Sequence, residues 1–112
     1  MSLMRTREAT ADDRAAVVAL WRAAGLVVRH NPPEADFDRA VALPQSAVLV
    51  GEIDGALAAS CMVGDEGHRG WVYYVSVDPA RQEAGLGRAI MDAAKHWLQA
   101  RGVRKVELMV RQ

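Results

Sequence analysis

The feature that most constrains the fold of this chain is a long amphipathic helix that lies between two β-prone segments. From Leu86 onward, apolar residues recur with the helical period for several turns. These residues are Ala89, Ile90, Ala93, Ala94, Trp97 and Leu98. A strand is predicted over 71–77, before the helix, and another over 105–110, after the helix stop at Gly102. We expect the two strands to be parallel neighbours, because a strand, a helix and a second strand in this order form a crossover unit.

The segment before this unit predicts a short strand and two helices. Residues 5–8 are a candidate edge strand, and Thr10 can cap a helix whose buried stripe includes Trp21. A second, shorter helix is predicted to begin at the turn that contains Pro33 and to end at Pro44. The N-terminal part therefore contributes one strand and two helices.

The middle of the chain predicts a β-hairpin and then a central strand. Strands over 47–53 and 56–63 are separated by Asp54 and Gly55, a pair that accepts the positive φ angles of a tight turn. In the strand over 71–77, alternation predicts one face made of Trp71, Tyr73, Val75 and Val77 and another made of Val72, Tyr74 and Ser76. The predicted fold class is therefore α/β, with a mixed sheet and the order β-α-α-β-β-β-α-β.

The composition is that of a soluble globular protein. Hydrophobic residues make up 51% of the chain and charged residues 25%, and 14 Lys and Arg residues balance 14 Asp and Glu residues. Without a net charge or a long apolar stretch, neither nucleic acid nor a membrane is expected as a partner. The single cysteine, Cys61, excludes an internal disulfide, suits a reducing cytoplasm and is assigned no catalytic role. Residues 1–3 are interpreted as an expression remnant, and residues 4–112 are expected to form one domain.

A glycine-containing loop joins the strand over 71–77 to the long helix. Gly85 and Gly87 let the backbone approach a ligand, and the unpaired N–H groups of the helix start converge on an anion. Arg81 and Arg88 flank the loop and can add charge-assisted contacts to a phosphate. The loop lacks the third glycine of the dinucleotide-binding fingerprint and the lysine of the P-loop. It predicts a pyrophosphate site, with a tight turn and a close packing position as the alternative explanation of the two glycines.

The hexapeptide Gln82-Glu83-Ala84-Gly85-Leu86-Gly87 resembles the signature of the GNAT family of N-acetyltransferases, Gln/Arg-x-x-Gly-x-Gly/Ala. The residues before it, Val75-Ser76-Val77-Asp78-Pro79, are similar to the end of the family's fourth strand. The predicted order of elements is also similar to the family's first five strands and three helices. The resemblance covers essentially the whole chain and implies a GNAT-like acyl-CoA N-acyltransferase fold.

This resemblance implies an enzyme that transfers acetyl from acetyl-CoA, its cosubstrate, to a primary amine of a small molecule or a protein, without a metal. The implied coenzyme contacts are Val75, Ser76, Val77, Gln82, Glu83, Ala84, Gly85, Leu86, Gly87 and Arg88. The pyrophosphate would lie on the amides of 82–88, and the pantetheine would extend the strand at 75–77 by backbone pairing. The family's chemistry is direct attack of a neutral amine on the thioester, which requires a base and stabilisation of the oxyanion.

The position of the glutamate base of many family members falls here on Trp71, so that role does not transfer. Glu66, His68 and Tyr74 are the nearby substitutes. Glu66 and His68 lie in a polar loop, where an ordinary solvated residue is the simpler explanation. Tyr74 immediately precedes the residues expected to pair with pantetheine and is the candidate catalytic residue, with a core tyrosine as the alternative.

The family's usual general acid is a tyrosine on a helix that would follow Gln112, so we expect a domain that is short at its C-terminus. The open sheet edge that results would invite pairing of two chains as a homodimer. Two functions therefore stay open. One is an active N-acetyltransferase, and the other is a catalytically inactive CoA-binding remnant or dimerisation module.

Overall fold

A five-stranded sheet in the order β1-β2-β3-β4-β5 carries the three helices of the fold. The structure is a computed structural model that describes residues 3–26, 32–81, 85–103 and 105–108, the last range through its backbone only. The strands are β1 (Arg5–Glu8), β2 (Ser46–Ile53), β3 (Ala56–Asp65), β4 (Arg69–Val77) and β5 (Lys105–Leu108). The helices are α1 (Arg14–Ala23), which a short 3-10 turn (Ala11–Asp13) precedes, α2 (Pro33–Ala42) and α3 (Leu86–Ala100). The predicted order of strands and helices is confirmed.

Strand pairing in the sheet is antiparallel from β1 to β4 and parallel between β4 and β5. The parallel pairing runs from Arg69 opposite Lys105 to Val72 opposite Leu108. The predicted crossover unit is therefore confirmed, because α3 joins β4 to its parallel neighbour. Residues 109–110 of the predicted last strand lie outside the described residues.

The tight turn between β2 and β3 is the predicted one. Asp54 and Gly55 both have positive φ angles, 52° and 81°, as a primed hairpin turn requires. The strands pair directly on either side of it, with Ile53 opposite Ala56.

The sheet has an apolar cluster on each face. On the α3 face, the buried residues are Ala47, Leu49, Ala59, Cys61, Val63, Val72, Ile90, Ala94, Leu98 and Val103. On the face covered by α1 and α2, they are Ala9, Val17, Val18, Trp21, Phe37, Ala40, Val48, Val50 and Met62. Since both faces are covered by helices, β2, β3 and β4 form the centre of the fold. No helix in the described ranges is long and apolar enough to span a bilayer.

A β-bulge interrupts β4 at Tyr74. It places several side chains on the other face of the sheet from the one that the sequence predicts. Ser76 lies opposite Ser60 and Tyr73 opposite Met62, so the one β3 residue between them faces two residues of β4. Tyr74 itself has φ +56°, a left-handed conformation that is unusual for a residue with a side chain.

The predicted alternation is wrong from the bulge onward, because one extra residue shifts the period of two. Tyr74 packs on the α1/α2 face together with Trp71 and Tyr73. Val75 and Val77 pack on the α3 face instead.

Candidate coenzyme site

The end of β4 turns sharply toward the start of α3. The backbone N–H of Arg81 donates to the carbonyl oxygen of Asp78 at 2.8 Å, and the N–H of Ala80 donates to the Asp78 carboxylate at 2.9 Å. A Cβ added to Gly87 would lie 3.8 Å from Cγ2 of Val77. The helix start therefore lies beside the last residue of the strand.

The first turn of α3 presents unpaired backbone N–H groups. Gly85 is the N-cap residue, with φ 94° and ψ −5°, a left-handed conformation that favours glycine. Its carbonyl oxygen accepts the first helical hydrogen bond, from Ala89 N–H at 2.8 Å. The N–H groups of Leu86, Gly87 and Arg88 precede that bond and have no carbonyl partner within the helix. Together with the positive end of the helix dipole, they form an anion-binding geometry.

Gly87 is not explained by its own backbone or by packing. Its φ is not among the positive values, and among the described residues an added Cβ would meet Val77 alone, at ordinary contact distance. The absence of a Cβ at Gly87 lets a ligand approach the backbone of the helix start.

The charges at the starts of α2 and α3 also favour an anion site at α3. The first turn of α3 carries no acidic residue, whereas the first turn of α2 carries Glu34 and Asp36. Acidic side chains satisfy the dipole of α2, and no side chain of the first turn does so in α3. Arg88, which is exposed on that turn, adds positive charge.

The structure describes some of the predicted coenzyme residues and not others. Gly85, Leu86, Gly87 and Arg88 form the start of α3, whereas Gln82, Glu83 and Ala84 lie outside the described residues. Val75 and Val77 are half-buried toward α3, and the buried Ser76 hydroxyl donates to the Ser60 carbonyl oxygen at 3.3 Å. The described pairing of β4 with β5 ends at Val72, before these three residues.

Tyr74 is fixed on the opposite face of β4 by two contacts. Its ring stacks on the ring of Trp21, with centroids 4.1 Å apart and planes 12° from parallel. Its hydroxyl donates a hydrogen bond to the carboxylate of Asp36 on α2, at 2.7 Å. The sequence analysis missed Asp36, because an acidic residue in the first turn of a helix is fully explained by the helix dipole.

Glu66 and His68 are not brought to Tyr74. Both are exposed and precede β4, whereas Tyr74 and Val75 lie in its second half. The N–H of Glu66 closes a local turn by donating to the Arg69 carbonyl oxygen at 3.1 Å. The structure therefore gives neither residue a contact with the candidate site.

Trp71 and Cys61 have structural explanations. The ring of Trp71 covers Gly64 of β3, where an added Cβ would lie 2.2 Å from the ring atom Cζ2. Burial raises the pKa of the Cys61 thiol to about 12, so the thiol stays neutral at physiological pH. A neutral buried thiol is a poor nucleophile, which agrees with a packing role.

Other candidate sites in the described residues are weak. A groove of about 590 Å³ on the outer side of α1 includes Arg22 and Glu34, and these two charges already pair with each other at 2.9 Å. No group of three or more potential metal ligands lies together in the ranges that the structure describes. The prediction of a reaction without a metal stays a prediction.

The chain is similar in sequence to proteins named as acetyltransferases. It is 38% identical over 101 residues to an acetyltransferase of Pectobacterium atrosepticum, covering 90% of this chain and 72% of that one. It is 37% identical over 100 residues to an acetyltransferase of Sodalis glossinidius, covering 89% and 70% of the two chains.

Solved structures show the same fold at low sequence identity. AAC(6')-Iy in complex with a bisubstrate CoA analogue superposes with a TM-score of 0.81 at 16% identity, over 96% of this chain and 79% of that one. A predicted acetyltransferase of Clostridium acetobutylicum with acetyl-CoA gives 0.76 at 14% identity, over 96% and 80%. These two likenesses support the fold alone.

The family assignment rests on the sequence itself. Residues 12–112 match the family model described as the acetyltransferase (GNAT) family. The match covers the three helices, strands β2 to β5 and the hexapeptide at the start of α3. The chain therefore belongs to the GNAT family of acetyltransferases.

Proposed function

We propose that this protein transfers acetyl from acetyl-CoA to a primary amine of a small molecule or a protein. The observation that carries the proposal is the first turn of α3, where the N–H groups of Leu86, Gly87 and Arg88 lack carbonyl partners within the helix and lie beside the end of β4. The N–H groups and the helix dipole make this position positive, so an anion would be stabilised there.

Acetyl-CoA fits this arrangement along its length. Its pyrophosphate would accept hydrogen bonds from the first turn of α3, with Arg81 and Arg88 available for further contacts to phosphate. Its pantetheine would run beside Val75, Ser76 and Val77, which lie past the last described pair of β4 with β5. Gln82, Glu83 and Ala84 are proposed for the same loop on the family resemblance alone.

The chemistry proposed is direct transfer. The amine nitrogen forms a bond to the thioester carbonyl carbon, the carbon–sulfur bond breaks, and the coenzyme leaves as a thiol after it takes up a proton. A neutral amine is required, so a base must remove one proton, directly or through water. The bulge in β4 takes backbone groups out of the ladder, and the N–H of Val75 is a candidate donor to the developing oxyanion.

Tyr74 is proposed to touch the acceptor. Its hydroxyl donates a hydrogen bond to Asp36, and its ring is held by Trp21, so the geometry favours orienting the acceptor over delivering a proton to the coenzyme sulfur. The catalytic role predicted for Tyr74 as an acid or base stays a prediction.

Thermal unfolding and thiol release test this proposal together. Acetyl-CoA at a hundredfold excess over its Kd is expected to stabilise the folded state by about 2.7 kcal/mol, which raises the Tm. Thiol release from acetyl-CoA is then expected with at least one primary amine of a panel. A rise in Tm without thiol release would favour the CoA-binding module, and no rise at saturation would contradict both functions.

A further inference from the structure

The three carboxylates of α2 differ in what faces them. Glu34 and Asp38 each pair with an arginine of α1, at 2.9 and 3.5 Å. Asp36 instead accepts a hydrogen bond from the Tyr74 hydroxyl, and no Lys, Arg or His of the described residues forms an ion pair with it. The Tyr74 hydroxyl is a neutral donor, so among the described residues no cation neutralises the half-exposed carboxylate of Asp36.

The group that holds Asp36 is itself fixed. The ring of Tyr74 stacks on the ring of Trp21, and its backbone is held at φ +56° by the bulge in β4. A left-handed conformation of this kind costs about 1–3 kcal/mol and persists only where the surroundings impose it. The left-handed conformation of Tyr74 therefore lowers the stability of the strand, and it places the phenol ring on the α2 side of the sheet instead of the α3 side.

Aromatic residues pack on the same face of the sheet as Tyr74. Trp71 and Tyr73 are half-buried on the same face of β4, with ring centroids 5.2 Å apart. Trp21 is fully buried, and its indole N–H has no acceptor in the part of the chain that the structure describes. Exposed faces of Trp and Tyr attract cations, and the Asp36 carboxylate, at the end of the Tyr74 side chain, adds an opposite charge.

We propose that Asp36 binds a positively charged group of the acceptor, separate from the amine that receives the acetyl group. This inference rests on the proposed function and extends it, because it predicts that preferred acceptors carry at least two cationic nitrogens. Asp36 is then a specificity-determining residue, and Tyr74 is the residue that positions it.

The length of the Tyr74 side chain separates Asp36 from the position of the reacting amine, so the group that binds Asp36 must be a second charge of the acceptor. The reacting amine must touch the thioester carbon, which the family resemblance places beside the backbone of β4 just after Tyr74. A whole tyrosine side chain and one hydrogen bond of 2.7 Å lie between that backbone and the Asp36 carboxylate. A single ammonium group therefore cannot serve both positions.

Binding of matched amines to the CoA-saturated protein tests the proposal. Diaminoalkanes of increasing length are compared by calorimetry with the monoaminoalkanes of the same length, and thiol release from acetyl-CoA is recorded with the same amines. At the best length, the diamine is expected to bind about threefold to tenfold more tightly than the monoamine. Asp36→Asn keeps an oxygen that accepts from Tyr74. It should lower diamine binding to the level of the monoamine, and the loss of one first-turn carboxylate should lower the Tm slightly.

Asp38→Asn is the matched control, since Asp38 lies two residues away on the same helix and pairs with Arg14 at 3.5 Å. It is expected to keep the diamine preference. A wild-type protein without that preference, or an Asp36→Asn protein that weakens both amines equally, would overturn the proposal.

The two readouts separate this inference from the proposed function. Because calorimetry needs no turnover, a diamine preference that depends on Asp36 supports the inference even where no thiol is released. Thiol release with monoamines but no diamine preference would leave the proposed function standing and overturn the assignment of Asp36.

Discussion

Replacing Gly87 with aspartate is expected to weaken acetyl-CoA binding by about a hundredfold or more, because two like charges about 4 to 6 Å apart cost several kcal/mol near a protein surface. The same change should leave the Tm unchanged or raise it. Among the described residues, an added Cβ at this position meets Val77 alone, at 3.8 Å, and an acidic side chain in the first turn of α3 suits the helix dipole. Loss of the ligand without loss of stability is the expected signature of an anion site.

Two further variants of Gly87 separate the effect of charge from that of side-chain size, and a third variant is a control at the other end of the helix. Gly87→Ala should bind acetyl-CoA within severalfold of the wild type, and Gly87→Asn should fall between alanine and aspartate. Gly102→Ala is the control at the far end of α3. Its φ of +81° predicts a lower Tm by strain and an unchanged affinity. Calorimetric titration measures each affinity, and equal affinities for Gly87→Asp and wild type would contradict the site.

Trp21→Ala is expected to lower the free energy of unfolding by about 3–5 kcal/mol. Trp21 is 0% exposed, contacts Phe37 with ring centroids 6.2 Å apart, and stacks on Tyr74. The loss is a large part of the roughly 5–15 kcal/mol that holds an ordinary domain together. It should also reduce thiol release with amines, since Tyr74 loses the ring that fixes it.

Urea denaturation measures this effect, with Trp21→Phe as the matched control. Phenylalanine keeps an aromatic ring against Tyr74 and removes an indole N–H that has no acceptor among the described residues. It should therefore cost much less than alanine. Equal losses for the two variants would show that the stack with Tyr74 contributes nothing measurable.

The long helix and the hairpin were predictable because local rules decide them. The apolar period from Leu86 to Leu98 allows only one buried face, and Asp54 and Gly55 suit only a few turn types. The parallel pairing of β4 and β5 then followed from the crossover rule. The start of α3 was predictable for the same reason, since glycines before an amphipathic helix are a local signal.

The bulge at Tyr74 was not predictable, because the sequence around it reads as a regular strand. Only the register against β3 shows that two residues of β4 face one residue across the sheet. The pair of Tyr74 and Asp36 joins residues 38 positions apart, and no local pattern connects them. The acceptor side was therefore hidden from the sequence, whereas the coenzyme side was visible.

The amide NMR spectrum of isotope-labelled protein during titration with coenzyme A tests the central claim most directly. If the pyrophosphate lies on the start of α3, the resonances of Leu86, Gly87 and Arg88 should shift on binding, together with those of Val75 and Val77. The amides of Gly67, in the turn between β3 and β4 at the other end of the sheet, and of Gly102, after the last turn of α3, should stay in place. Saturable binding that leaves the first turn of α3 unshifted would contradict the account.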